Sequence, residues 1–427
     1  MKRTFLLTLA AVAAMTMGLM AQDVSFDNLY NNLPQPAAVA APAPVVAAAV
    51  PQDAPAAQRE WLVMVFINGV NDLGILGFAD KSINDMEKVG STNSMAVVVE
   101  YGILGQTGGD RDLQFQRGSK TIYVTKDADA STITSAPFYV SNDADMGSTA
   151  NLVRFAKRGL RKYPAKKVAL VVWNHGAGRL GIAYDDVSRN HMEVDQLGKA
   201  LAQIKQAVGH KIDVFATDAC LMQMAAVAYE LKDSANVIVG SEETIPGDSY
   251  PYDTILGPLA ADPGMDAEAL GALMVNAYGA HYHDNVTLSA LRSAALPGFL
   301  NLVNAWVDAV NSDPKALAAA IDENTVRATY NFAMKDSKDL YDYLANVNGK
   351  LAAGSAAGKA GARLQAYVAN SLLIKDTALP SLTQAHGLSI YIPEMRYNSA
   401  NYEKLAFARD SLWDDFLRQM MEERLKP

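Results

Sequence analysis

Five short runs along the chain are almost wholly apolar and rich in β-branched residues: Trp61 to Ile67, Met95 to Val99, Val168 to Trp173, Ile212 to Ala216 and Val237 to Val239. Near-continuous apolar strands of this kind are covered on both faces, as in a parallel sheet. Helical patterns fall between them. Leu152, Phe155, Ala156 and Leu160 recur at helical spacing after Ser148-Thr149, and Leu197, Leu201 and Ile204 do so just ahead of the Ile212 run. The alternation predicts an α/β fold with a mostly parallel sheet, flanking helices and right-handed crossovers. From Asp112 to Thr125 the pattern alternates (Leu113, Phe115, Thr121, Tyr123), which predicts an added antiparallel hairpin. Beyond about Pro251 the texture changes. Ala- and Leu-rich helical patterns at 265–280, 295–311 and 353–373 enclose two strand-like pieces, Val286 to Leu291 and Gly387 to Ile392. These predict a mainly helical C-terminal region, 256–427, packed on the sheet of a domain spanning 59–255.

The first residues add an address. Met1-Lys2-Arg3, an apolar run from Phe5 to Met20 and the small Ala21 have the layout of a secretory signal peptide, 1–21. The run is short for a membrane anchor, which needs about 20 apolar residues, and no later segment is apolar enough to span a bilayer. An exported protein is expected, whether periplasmic, surface-bound or released. Residues 22–58 read as a linker or pro-segment, because Pro34 to Ala57 is built from Ala, Pro and Val with Asp53 as its one charge. Since no Lys or Arg occurs between Arg3 and Arg59, an enzyme cutting after basic residues would first trim this region at Arg59.

Composition narrows the chemistry. Half of the 427 residues are apolar and 19% are charged, enough for a large core. Lys and Arg number 37 against 46 Asp and Glu, and the net charge of -9 supplies no footprint for nucleic acid. The single cysteine, Cys220, excludes an intrachain disulfide framework and a Cys-rich zinc site. An unpaired thiol in an exported protein risks oxidation and therefore asks for a purpose.

Two strand ends supply that purpose. One run reads Val171-Val172-Trp173-Asn174-His175-Gly176, the other Val214-Phe215-Ala216-Thr217-Asp218-Ala219-Cys220. Ligands of open parallel sheets bind beyond the carboxyl ends of strands, so a His and the only Cys leaving consecutive ends can meet. Leu221 to Val227 is a good helix former, which predicts a sulfur near a helix N-terminus and a lowered thiol pKa. His175 would then serve as base to the thiol and as acid to the leaving amine. Cys220 lies forty-five residues after His175, close to the spacing of about 50 noted for caspases, which also place an Ala before the Cys. The other five histidines have no comparable context. His281-Tyr282-His283-Asp284 could suggest a metal, but a polar helix end accounts for it, and no Gly-x-Ser-x-Gly elbow points to a serine hydrolase.

The blocks Trp173-Asn174-His175-Gly176, Asp218-Ala219-Cys220-Leu221-Met222 and Val239-Gly240-Ser241-Glu242-Glu243-Thr244-Ile245-Pro246-Gly247-Asp248 resemble the signature segments of the clostripain family of cysteine peptidases, as does Gly387 to Pro393. The resemblance runs from about Trp61 to the end and implies a caspase-like fold. It implies a dyad of His175 and Cys220, an oxyanion held by the backbone N–H groups of Gly176 and Cys220, and cleavage of protein or peptide substrates after Arg or Lys. A guanidinium needs a carboxylate where it is buried, and Asp218 and Asp248 match the acidic pocket positions, with Glu242 and Glu243 as further candidates. Asp218 could instead cap a helix and Asp248 its own turn. Self-cleavage between the His and Cys blocks is also implied, with Arg189 the best-placed residue in the polar stretch Tyr184 to His191 and Arg179 second. No cofactor is called for, and a calcium requirement cannot be read from the acidic Asp185-Asp186. The turn Asn68-Gly69-Val70-Asn71-Asp72-Leu73-Gly74 departs from the acidic, Asn-rich turn of relatives and receives no role. Two further readings fit the same residues: a peptidase of this fold preferring Asp or Asn, and an inactive surface-binding module with the Ala/Pro segment as its stalk.

Overall fold

The computed structural model describes residues 58–104 and 118–424. The proposed signal peptide, all of the linker except Gln58, and the first limb of the expected hairpin, 112–117, lie outside them. Nine strands form one mixed sheet: β1 (Arg59–Gly69), β2 (Met95–Ile103), β3 (Ser119–Tyr123), β4 (Pro137–Ser141), β5 (Ala165–Trp173), β8 (Ile212–Asp218), β9 (Ala235–Gly240), β10 (Thr287–Arg292) and β12 (Leu373–Ala378). Their spatial order is β12-β10-β9-β8-β5-β1-β2-β3-β4. The hairpin β6 (Ile182–Asp185) and β7 (Asn190–Met192) and the pair β11 (Ser337–Asp339) and β13 (Ser389–Tyr391) stand apart.

The five apolar runs are the five central strands, β2, β1, β5, β8 and β9, all parallel. Their continuous apolarity has a visible cause in β1. Leu62, Met64 and Phe66 pack on one face of the sheet with Leu152 and Phe155, while Trp61, Val63, Val65 and Ile67 pack on the other with Ile83, Met86, Leu256 and Tyr278. Successive side chains of a strand point to opposite faces, so a strand covered twice cannot alternate with polar residues. The covering helices follow from sequence in the same way. On one face lie α1 (Asp72–Ile75), α2 (Phe78–Glu87) and the helices Tyr252–Ala261 and Ala267–His281; on the other lie α3 (Thr149–Lys162), α4 (Val194–Val208) and α5 (Ala225–Leu231). Leu197, Leu201 and Ile204 form the buried stripe of α4, which Gly209 ends at φ 90°, a left-handed turn suited to glycine.

The region past Pro251 is helical, yet it also extends the sheet. The Val286 piece becomes β10, antiparallel to β9, and β12 adds beyond it. The expected 353–373 helix is shorter, running as Ala356–Tyr367 and then a π-helical turn, Val368–Leu372, that leads into β12. The Gly387 piece pairs with β11 instead of joining the main sheet. Among the described residues no helix is long and apolar enough to cross a membrane.

Candidate active site

Strands β5 and β8 run side by side with Trp173 opposite Asp218, so His175 and Cys220 each stand two residues beyond a matched pair. The two turns are in contact. A Cβ added to Gly176 would lie 2.4 Å from the carbonyl oxygen of Cys220 and 3.0 Å from the Cβ of Ala219. Only glycine permits that approach. Asn174 locks the first turn: its N–H donates to the Asp218 carbonyl at 3.2 Å, and its side-chain oxygen accepts from Tyr184 N–H at 2.7 Å. Among the described residues the Gly176 amide donates to no backbone carbonyl, and the Cys220 amide bonds to its own sulfur.

The imidazole and the thiol have separate partners in this state. Nε2 of His175 lies 2.7 Å from Oδ1 of Asp72 at the start of α1, whereas the sulfur of Cys220 accepts from the Ile245 N–H at 3.3 Å. Cys220 packs beside Leu221, Phe332, Leu382 and Ala385, with Tyr330 and Met334 on the same cluster. That covering pushes the thiol up to about 11, chiefly through burial, with Glu243 and Asp218 adding in the same direction. The expectation of a helix N-terminus at the sulfur is thereby corrected. Helix α5 begins only at Ala225, because the intervening backbone is drawn into tertiary bonds: Leu221 N–H to Glu243 O at 3.1 Å, Gln223 N–H to Ser241 O at 2.9 Å and Ser389 N–H to Gln223 O at 3.0 Å. Leu221 sits at φ 64°, a left-handed conformation that costs a branched residue about 1–2 kcal/mol. Strain of this kind is often held at functional turns.

The two acidic candidates part company. Asp218 is buried; its Oδ2 accepts from Tyr250 N–H at 3.2 Å, from the Tyr252 hydroxyl at 2.8 Å and from the Ser249 hydroxyl. The other oxygen, Oδ1, has no hydrogen-bond partner among the described residues and is buried. Burial raises the carboxyl to about 6 against the opposing pull of those hydrogen bonds. Asp218 does not cap a helix. Asp248 is exposed in its turn. Glu242 is sealed away, with Oε2 accepting from Gly387 N–H at 2.8 Å, and burial together with Asp339 holds its carboxyl well above the usual range. Glu243 accepts from Thr244 N–H at 2.7 Å and from Ala333 N–H at 3.2 Å, tying the segment after β9 to the one covering Cys220.

The polar stretch carrying Arg189 is a tight hairpin and not an open loop. Asp185 is buried, and its Oδ1 accepts from the N–H groups of Val187 and Ser188 at 2.9 and 2.8 Å. Arg189 is exposed at the tip with φ 56°. Arg179, the second choice, is buried; it pairs with Asp336 and stacks 4.1 Å above the Tyr391 ring, out of reach of a peptidase. Sequence reasoning passed over Asp72, the Ser249-Tyr250-Tyr252 cradle and the Tyr330–Asp336 cover. Asp72 is placed by the fold: it follows β1, the neighbour of β5, at the same edge where His175 emerges.

A central parallel sheet with a histidine and a cysteine on touching strand-end turns is the plan of the caspase-like cysteine peptidases. Residues 65–420 match the clostripain family, and the chain belongs to that family. Clostripain of Hathewaya histolytica is 31% identical over 146 residues, a match spanning 30% of this chain and 27% of that protein. A secreted cysteine protease from Bacteroides thetaiotaomicron, solved with an irreversible peptide inhibitor, superposes with a TM-score of 0.59 at 19% identity, covering 84% of this chain and 99% of the other. An inactive zymogen protease from Parabacteroides distasonis gives 0.60 at 19% identity, over 85% and 99%. At that identity the likeness is one of fold.

Proposed function

We propose that the protein is an exported cysteine endopeptidase that cleaves after Arg or Lys with Cys220 as nucleophile and His175 as base. The observation that carries the reading is the contact of the Gly176 and Cys220 turns, which brings both residues and their amides to one place. His175 takes the thiol proton as the sulfur attacks the substrate carbonyl carbon, and the amides of Gly176 and Cys220 receive the oxyanion. When the C–N bond breaks, the imidazolium returns its proton to the leaving amine. Water then attacks the thioester with His175 again as base, and the acid product leaves. No step calls on a cofactor.

Asp218 is the carboxylate for the cationic side chain. Its unpartnered buried oxygen gains a charge-assisted bond from a guanidinium or ammonium, once the Ile245–Tyr250 segment shifts to admit it. Exposed Asp248 serves at the rim. Self-processing falls at Arg189, whose exposure suits it and whose tight turn makes it slow. Export follows the signal layout of residues 1–21. Reporter peptides ending in Arg, Lys, Asp or Asn test the reading directly. Hydrolysis of the Arg and Lys peptides that disappears in Cys220→Ala, by about 10⁴-fold or more, is expected; equal turnover by the variant would remove it.

A further inference from the structure

We infer that Asp72 is the positioning residue of the active site, holding Nε2 of His175 so that Nδ1 faces the reacting thiol. The inference rests on the dyad reading above. The carboxylate of Asp72 lies 2.7 Å from Nε2, and both side chains are partly open to solvent, 35% for His175 and 62% for Asp72. The hydrogen bond from His175, ahead of every other cause, keeps the Asp72 carboxyl below its ordinary range. Asp72 is therefore ionised at neutral pH and can only accept, so Nε2 carries a proton, and whenever the imidazole acts as base its lone pair is at Nδ1. That tautomer is the one a base needs toward sulfur.

Asp72 is held in place by its own turn. Asn71 accepts from the Leu73 N–H at 3.1 Å and donates through Nδ2 to the Tyr184 carbonyl at 3.0 Å. The Asp186 N–H donates to the Val70 carbonyl at 2.9 Å, so the β6–β7 hairpin braces the turn from the side. Gly74 lets α1 fold back on the end of β1, since a Cβ there would sit 1.9 Å from the Gly69 carbonyl oxygen. Anchors from three residues, Asn71, Asp186 and Gly74, around one exposed carboxylate exceed what a surface ion pair requires. Such pairs contribute little to stability.

The experiment compares wild type, Asp72→Asn, Asp72→Glu and Cys220→Ala on an Arg anilide and an Arg ester, with thermal midpoints alongside. A misoriented imidazole fails most where a poor leaving group needs its proton. Asp72→Asn should therefore lower kcat on the anilide by about 10- to 100-fold, with KM within about twofold and a much smaller loss on the ester. Asp72→Glu should recover part of the anilide rate, while both variants keep the wild-type midpoint within a few degrees. Equal losses on anilide and ester, a loss confined to KM, or no loss at all would each overturn the inference. If Cys220→Ala itself stays active, the dyad reading fails first, which separates the two outcomes.

Discussion

The turn that ends β5 and the turn that ends β8 sit against each other but are built differently. His175 stands half-exposed on a turn held by side chains, Asn174 to Asn68 and Tyr184, Asp72 to the imidazole. Cys220 stands on a turn held by main-chain bonds to Glu243, Ser241 and Ser389 and roofed by Tyr330, Phe332 and Met334. On the proposed dyad, a group that must pick up and release protons is left near water and steered by a charge. A group that must strike one carbon is fixed by backbone, where positional error is smallest. His175 is thus tunable by one substitution, and Cys220 is not.

The largest effect should come from forcing the two turns apart. Gly176→Ala places a methyl against the Cys220 carbonyl, and a shift of even 1 Å should lower kcat/KM by at least about 100-fold, read with the Arg anilide; near-normal activity would mean the contact carries no precision. Next is Asp218→Asn, which keeps the shape but removes the charge and should cost about 10²- to 10³-fold on Arg peptides, while the thiol, relieved of a nearby carboxylate, alkylates no more slowly. The pH dependence of Asp218 has a definite sign. Its folded carboxyl, near 6, lies above the ordinary value of 3.8, so the native chain holds a proton the unfolded chain has lost. The stability it contributes therefore declines as pH rises from about 4 through 6. Affinity for a cationic inhibitor such as benzamidine should rise over the same interval, and Asp218→Asn should lose that dependence; an unchanged profile in the variant would assign it elsewhere.

A smaller effect concerns the roofed thiol. With Cys220 near 11, iodoacetamide should modify the substrate-free chain about a hundredfold more slowly at pH 7 than an ordinary thiol, with the rate still climbing at pH 9.5. A plateau near pH 8 would mean that His175 already holds the proton at rest, and the contrast between the turns would vanish. Smallest is Arg189→Ala, which should move stability by no more than about 0.5 kcal/mol yet keep the chain as one band on a denaturing gel. Continued splitting would move the cut to another residue.

Much of this was legible before any coordinates. The five central strands announce themselves because both faces are covered, and the His and Cys turns follow from their ends. The edges did not. β12 reads Leu-Ile-Lys-Asp-Thr-Ala and is half-exposed, so the apolar signal is diluted and the preceding helix pattern runs into it. The late start of α5 was hidden because propensity favours a helix from Leu221, while the bonds that prevent it come from residues far along the chain, Ser389 among them. Asp72 was hidden for the same reason. It lies 103 positions from His175, and only the adjacency of β1 and β5 joins them.

The hairpin tip at Arg189 falls between the two reacting residues in sequence, while β5 and β8 adjoin in the middle of the sheet. A single nick there would leave the histidine on one polypeptide and the cysteine on another, sewn together by a buried interior strand pairing. The two pieces would copurify as a unit, and separately produced fragments should regain cleavage only when mixed before either has folded alone.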